Sequence, residues 1–326
     1  MKTALICGVN GQDGAYLARF LLGRGYRVVG TSRDAQSGRH HNLEALGIES
    51  DVVIESMAPN DFRSVLQVLA KARPAEIYNL AGQSSVSLSF EQPVETLESI
   101  STSTLNFLEC IRFLDPEIRF YSAGSSECFG NTGAMPADEN TPFRPRSPYA
   151  VAKACAANLV SNYREAYQLF ACNGFLFNHE SPLRPRRFVT RKIVEAAYRI
   201  SAGLDSHLSL GNLAVSRDWG WAPDYVEAMW MLLQRETPLD VVIATGRTVS
   251  LEYFVSSAFA HFGLDWKAHV LQDSALLRPS DLSYSAANTT RARLELGWTA
   301  RHSVDDVVRE MCRAERERQE QGRILL

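Results

Sequence analysis

The apolar run TALIC at residues 3–7 leads straight into Gly8-x-x-Gly11-x-x-Gly14, then into a segment with Leu17, Phe20 and Leu21 at helical spacing. A second apolar run follows at 27–31. Strand, glycine turn, amphipathic helix and strand in this order constrain the fold more than any other feature of the chain. Glycines let a backbone approach a pyrophosphate closely, and a helix N-terminus offers unpaired N–H groups and the positive end of its dipole. A glycine triplet alone is a weak sign; between a buried strand and a helix it is a strong one. The segment therefore predicts a bound dinucleotide. The second strand runs into Thr31-Ser32-Arg33 and not into an acidic residue. Arginine suits a ribose 2′-phosphate, whereas a carboxylate suits the 2′-hydroxyl of NAD, so the cofactor expected is NADP. Asp34 next door keeps NAD open.

The alternation continues. Apolar strands are expected near 51–55, 75–81, 118–123 and 172–177, and helices near 14–24, 61–72, 93–113 and 149–169. Such alternation predicts an α/β fold, a Rossmann-like doubly wound parallel sheet with helices on both faces. After residue 178 the texture changes: Pro182 and Pro185 interrupt an Arg-rich stretch, and helices are expected near 189–203, 224–234, 251–262, 288–295 and 303–319, with a late strand at 241–246. This divides the chain into a cofactor domain over 1–180 and a smaller, mostly helical substrate domain over 181–326. Residues 215–246 are expected to return to the first domain, so the two are interleaved.

Composition narrows the function. The chain has 326 residues, 45% hydrophobic and 22% charged, enough for a large core. A formal net charge of −3 supplies no basic field for nucleic acid. No apolar run approaches the roughly 20 residues that span a membrane, and the stretch at 4–6 is too short for a signal peptide. The six cysteines include no C-x-x-C pair and read as free thiols of a reducing cytoplasm, with no metal or disulfide role.

Two further segments, FYSAGSSECFG and SPYAVAK, supply reactive groups: a hydroxyl at Ser125, a carboxylate at Glu127, a phenol at Tyr149 and an ammonium at Lys153. Tyr149 and Lys153 stand four apart, on one face of a helix. An adjacent ammonium favours phenolate, which eases removal of a proton from a sugar hydroxyl. Glu127 supplies a second, separate base. Each has a plainer reading: Glu127 as a strand-end carboxylate capping a backbone N–H, Ser125 as a turn hydroxyl bonded to its own backbone.

With these residues in place, the sequence resembles the extended short-chain dehydrogenase/reductase family and, within it, the GDP-mannose 4,6-dehydratases. The resemblance runs through GVNGQDGAYLA, IYNLAGQSSVSLSFEQP, RFYSAGSSECFG, NHESPLRPRRFVTRKI and LGNLAVSRDWGWAPDYVEAMW. NHESP followed by FVTRK and RDWG is far more specific than the glycine triplet or Y-x-x-x-K.

The resemblance implies roles position by position. Gly8, Asn10, Gly11, Gln12 and Asp13 would hold the pyrophosphate and its ribose, Arg33 the 2′-phosphate, and Leu80, Ala81 and Ser84 would line the cofactor. Lys153 would bind the nicotinamide ribose, with His179 and Arg184 near the cofactor. Ser84, Asn178, Val189, Lys192, Arg217 and Arg278 would contact a GDP-linked sugar, whose two phosphates suit cationic side chains. Ser125, Glu127, Tyr149 and Lys153 would be catalytic, with oxidation at C4 preceding loss of water across C5 and C6. This chain has Ser125 where the family usually has Thr, and Ser56 where an acidic residue often precedes the position of Met57. A GDP-manno-heptose dehydratase, or a sugar-nucleotide 4-epimerase or reductase, would use the same scaffold; the latter two need no carboxylate at 127. Relatives assemble as dimers or tetramers, and a homodimer or homotetramer is expected; Arg39, His40 and His41, in the loop that reaches a neighbour's cofactor in tetramers, would either do the same or be simply solvated.

Overall fold

Seven parallel strands form the central sheet of the computed structural model, which describes residues 1–36 and 39–321. In chain order the strands are β1 (Thr3–Cys7), β2 (Arg27–Ser32), β3 (Val53–Ser56), β4 (Glu76–Asn79), β5 (Arg119–Ser125), β6 (Ala171–Leu176), β7 (Asn178–Glu180), β8 (Leu208–Leu210), β9 (Ser216–Trp221), β10 (Val241–Ile243), β11 (Thr248–Ser250) and β12 (Val270–Gln272). The sheet order is β10-β6-β5-β4-β1-β2-β3, with every pairing parallel.

The continuous apolar runs follow from burial on both faces. In β1, Ala4 and Ile6 point to one core, with Leu17, Tyr225 and Met229, while Leu5 and Cys7 point to the other, with Val65, Phe107 and Ile111. The helices Gln12–Leu22 and Ala222–Gln234 cover the first face, and Phe62–Ala72, Ser103–Leu114 and Pro148–Tyr167 the second. Strand order reverses between β1 and β4, which opens a crevice at their carboxyl ends where open α/β sheets take ligands.

The remaining core gathers Ile193, Val194, Phe254, Phe259, Val307 and Met311 from three helices, Val189–Ser201, Leu251–His261 and Val304–Gln321. Two small sheets, β11-β9-β7 and β12-β8, accompany these helices, so the region is less purely helical than its sequence reads. β10 lies beside β6 in the large sheet, whereas β9 belongs to a small one. The expected helix at 93–113 is broken by a wider π turn at Glu98–Thr102 between Pro93–Leu97 and Ser103–Leu114. The expected helix at 288–295 is little more than a π turn, Ala292–Leu296, ended by Gly297 at φ 71. Among the described residues no helix is long and apolar enough to cross a membrane, and no group of His, Cys, Asp and Glu is arranged to hold a metal ion.

Candidate active site

The glycine turn sits in the crevice. Gly8 has φ +83, and a Cβ built on it would lie 3.1 Å from the Ala81 backbone at the end of β4. A Cβ on Gly14 would lie 2.3 Å from the Gly8 carbonyl oxygen. Gly11 donates its N–H to that oxygen at 3.0 Å and gives the helix Gln12–Leu22 no side-chain cap. The first-turn N–H groups therefore face the crevice without a side-chain acceptor, a cradle suited to a pyrophosphate.

Gln12 and Asp13 turn toward the second half of the chain. The Gln12 amide donates to the His179 carbonyl at 3.2 Å and accepts from the Ser181 hydroxyl at 2.8 Å. Asp13 lies 2.9 Å from His179 Nε2, and His179 Nδ1 lies 2.8 Å from the Phe177 carbonyl. Burial favours a neutral histidine, but Asp13 outweighs it and raises the imidazole above its ordinary range; burial likewise opposes ionised Asp13, and His179 prevails to lower it. Asn10 is engaged by the loop after β2: it donates to the Arg39 carbonyl at 3.2 Å and is bonded by Asn42 through both its side chain and its backbone oxygen. His40 is buried and His41 lies 3.6 Å from Glu44; Ser37 and Gly38 of this loop lie outside the described residues.

Arg33 extends into solvent, its side chain 85% exposed and 3.9 Å from Glu95. Ser56 accepts the Ala35 N–H at 3.0 Å and so anchors the turn that carries Arg33, while Met57 is buried.

From Asp13 and Leu80 a cleft of about 600 Å³ runs past Ser125, Glu127, Tyr149 and Lys153 to Arg217 and Arg278. It also brings in Ser84, Asn178, His179, Arg184, Val189 and Lys192. Gly8, Asn10, Gly11, Gln12, Arg33 and Ala81 do not line this cleft; Gly8 and Ala81 meet at the β1–β4 crevice.

Ser125 ends β5, and its hydroxyl accepts the Glu127 N–H at 3.3 Å, capping the short turn Ser126–Phe129. The plain turn-hydroxyl reading is thus part of its role, and the same hydroxyl faces the cleft that Tyr149 lines. Tyr149 and Lys153 share a face of Pro148–Tyr167, whose start is fixed by Ser147 accepting the Ala150 N–H at 3.1 Å. Lys153 does not bring out a phenolate by itself. Its ammonium donates to the Ala123 carbonyl at 2.7 Å and stands 5.9 Å from the Tyr149 ring centre. Burial pushes Lys153 down to about 8 and holds the Tyr149 phenol well above its ordinary value, with the Ser125 hydroxyl opposing. The expected easing of Tyr149 by a neighbouring ammonium is therefore outweighed by desolvation in the protein alone.

Glu127 caps no backbone N–H. Among the described residues nothing hydrogen-bonds its carboxylate, and burial raises it above the ordinary carboxylate range, against the pull of Arg217 and Arg278. Cys128 beside it is buried, its thiol pushed up to about 12 by burial, which leaves it unreactive.

At the far end Arg217 donates to Asp281 Oδ1 at 3.0 Å, and Arg278 donates to the same oxygen at 3.2 Å. Lys192 donates to the Ser209 carbonyl at 2.8 Å. Two acidic residues went unassigned in the sequence. Asp281 stands in a loop without periodicity, three residues after Arg278. Glu180 lies inside NHESP; its Oε2 accepts the Thr190 hydroxyl at 2.7 Å and pairs with Arg184 Nε at 3.0 Å, joining both ends of the segment between them.

A doubly wound sheet with a glycine cradle at its switch point, and a Ser, Tyr and Lys set beside it, defines an extended short-chain dehydrogenase/reductase. The family model described as GDP-mannose 4,6 dehydratase matches residues 5–311, and the chain belongs to that family. It is 42% identical over 335 residues to GDP-mannose 4,6 dehydratase 2 of Arabidopsis thaliana, covering 100% of this chain and 90% of the plant protein. It is 44% identical over 336 residues to GDP-mannose 4,6-dehydratase of Sinorhizobium fredii, covering 96% of each. The fold matches the crystal structure of dTDP-glucose 4,6-dehydratase from Bacillus anthracis in complex with NAD, with TM-score 0.84 at 18% identity, over 98% of both chains.

Proposed function

We propose that the chain converts GDP-mannose to GDP-4-keto-6-deoxymannose with tightly held NADP, a hydro-lyase reaction that leaves the cofactor unchanged. The observation that carries the reading is Glu127, a carboxylate with no hydrogen bond among the described residues, raised by burial, on the same cleft as Ser125, Tyr149 and Lys153. An epimerase or reductase has no use for it. NADP is favoured over NAD by Arg33, whose exposed side chain is open to a 2′-phosphate.

Bound nicotinamide would supply the redox chemistry, taking hydride from C4 and returning it at C6. The chain's own residues do the rest. Gly8, Gly11 and the helix N-terminus hold the pyrophosphate, and Lys153 the nicotinamide ribose. Ser125 hydrogen-bonds O4, and Tyr149, a poor base in the protein alone, removes the O4 proton once the bound cofactor's positive charge adds to that of Lys153. The C4 ketone acidifies the C5 hydrogen, which is why oxidation comes first. Glu127 takes that proton, the C5–H pair forms the C5–C6 double bond, and O6 leaves as water with a proton from Glu127. Tyr149 returns a proton to C5. A carboxyl raised by burial is suited both to accept and to donate. Arg217, Arg278 and Lys192 would grip the nucleotide end.

Incubation with GDP-mannose, with GDP-manno-heptose in a parallel reaction, and mass analysis of the products tests the reading. Loss of one water from GDP-mannose, with solvent deuterium at C5 and no net NADPH consumption, is expected. An unchanged mass, or stoichiometric NADPH oxidation, ends it. Self-association is proposed as well, supported by Val94, Leu97, Phe113 and Tyr167, which are 66%, 39%, 67% and 46% exposed on neighbouring helices. Light scattering at the mass of one chain would overturn it.

A further inference from the structure

Arg217 and Arg278 come from unrelated places: Arg217 from β9, Arg278 from the loop after β12. Both converge on one atom, Asp281 Oδ1, at 3.0 and 3.2 Å, and that atom also accepts the Leu282 N–H at 2.9 Å. The Arg217 side chain is 7% exposed and is held from behind by the Ser216 carbonyl at 2.9 Å. Arg278 is held by Ser87, 191 residues away across the cleft, at 3.1 Å. Two guanidiniums brought this close repel each other, and a buried one needs an acceptor. Asp281 answers both requirements, and its own position is fixed by the Leu282 backbone.

We propose that Asp281 is a positioning residue that holds Arg217 and Arg278 as a preformed pair for a diphosphate. The proposal rests on the reading of the substrate as a nucleoside-diphosphate sugar. An Arg pair already oriented loses little side-chain freedom on binding, and each guanidinium keeps further N–H groups to offer phosphate oxygens. Asp281 also offsets one of the two positive charges, so the diphosphate is recognised by directed N–H groups and not by a diffuse cationic patch. Glu127, which feels Arg217, Arg278 and Asp281 together, shares the same wall.

Calorimetric titration of the full-length protein with GDP, with NADPH titration alongside, tests this without relying on turnover. Asp281→Ala should weaken GDP at least tenfold and raise KM for GDP-mannose by a similar factor, with NADPH affinity within twofold of the parent. Asp281→Asn keeps an acceptor oxygen and should restore GDP binding to within about threefold. GDP binding by Asp281→Ala equal to the parent, or equal loss of GDP and NADPH binding, overturns the proposal, as does an Asn variant no better than Ala. Parent protein that binds GDP in this pattern but releases no water from GDP-mannose refutes the dehydratase reading and upholds the role of Asp281.

Discussion

The carboxylate of Asp13, in the first turn after the glycine loop, lies 2.9 Å from Nε2 of His179, 166 residues away. The second ring nitrogen of His179 faces the Phe177 carbonyl at 2.8 Å, so both nitrogens meet acceptors and both carry a proton. This pair ties the glycine turn to the strand β7 that enters the substrate side. The Tyr225 ring stacks on the imidazole at 4.6 Å and covers one of its faces.

A pH window follows. The fall in Asp13 contributes stability that is present above its ordinary 3.8 and is lost as pH drops through its lowered value; the rise in His179 contributes stability that is present below its ordinary 6.5 and is lost as pH climbs through its raised value. Arg184 also faces the pair and lowers both, and the Lys153 ammonium feels Asp13 as well. Asp13→Asn should cost about 3 kcal/mol where both groups are charged, between those two ordinary values. The difference from the parent should shrink as pH climbs through the raised value of His179. Thermal unfolding of both proteins at pH 5.5 and pH 9 checks it; an equal gap at both refutes the ionised pair.

Arg33→Ala should weaken NADPH binding at least tenfold and leave NADH binding nearly unaffected. The side chain is 85% exposed and its pairing with Glu95 is a loose 3.9 Å, so its loss removes little from the fold. Fluorescence titration of NADPH and NADH separates the two cofactors. Equal effects on both would assign Arg33 to the surface.

Gly14→Ala should be the most damaging change in the glycine turn. The added carbon would lie 2.3 Å from the Gly8 oxygen and 2.7 Å from the Val9 Cα, both backbone atoms that no rotamer can move. Overpacking of this kind costs about 1–3 kcal/mol or more, and shifting the turn disturbs the phosphate cradle. A lowered melting temperature together with loss of NADPH binding is expected; a variant with both intact would mean the turn relaxes freely.

The cofactor half was legible because its signals are local and periodic. A strand buried on both faces, a glycine turn and an amphipathic helix leave their mark within a single stretch of chain, and Tyr149 and Lys153 are related by helical spacing. What escaped was set by distance in sequence or by brevity. Asp281 meets Arg217 across 64 residues, in a loop with no period. β7, β8 and β11 have three residues each, too few for alternation to register. The fate of the Lys153 ammonium was invisible for another reason: the Ala123 carbonyl that receives it is backbone, and any residue at that position would have supplied the same acceptor.

Glu127→Gln carries the heaviest consequence. The amide is nearly isosteric, and with no hydrogen bond to the carboxylate among the described residues the fold has little to lose, so the melting temperature should stay within a few degrees. An amide accepts no proton from C5 at neutral pH, so formation of the 4-keto-6-deoxy product should fall about a thousandfold, within the roughly 10²–10⁴ that general acid–base catalysis ordinarily supplies. Oxidation at C4 depends on Ser125, Tyr149 and Lys153 and should persist, so the variant with GDP-mannose and NADP should gain absorbance at 340 nm from reduced nicotinamide without losing water. Because burial raises the parent's Glu127, its rate should also decline on the acid side at a pH above the ordinary carboxylate value, a limb absent from the variant. Stopped-flow absorbance and product mass, measured on one preparation, separate the half-reactions. A variant that dehydrates at close to the parental rate would move the second base elsewhere in the cleft.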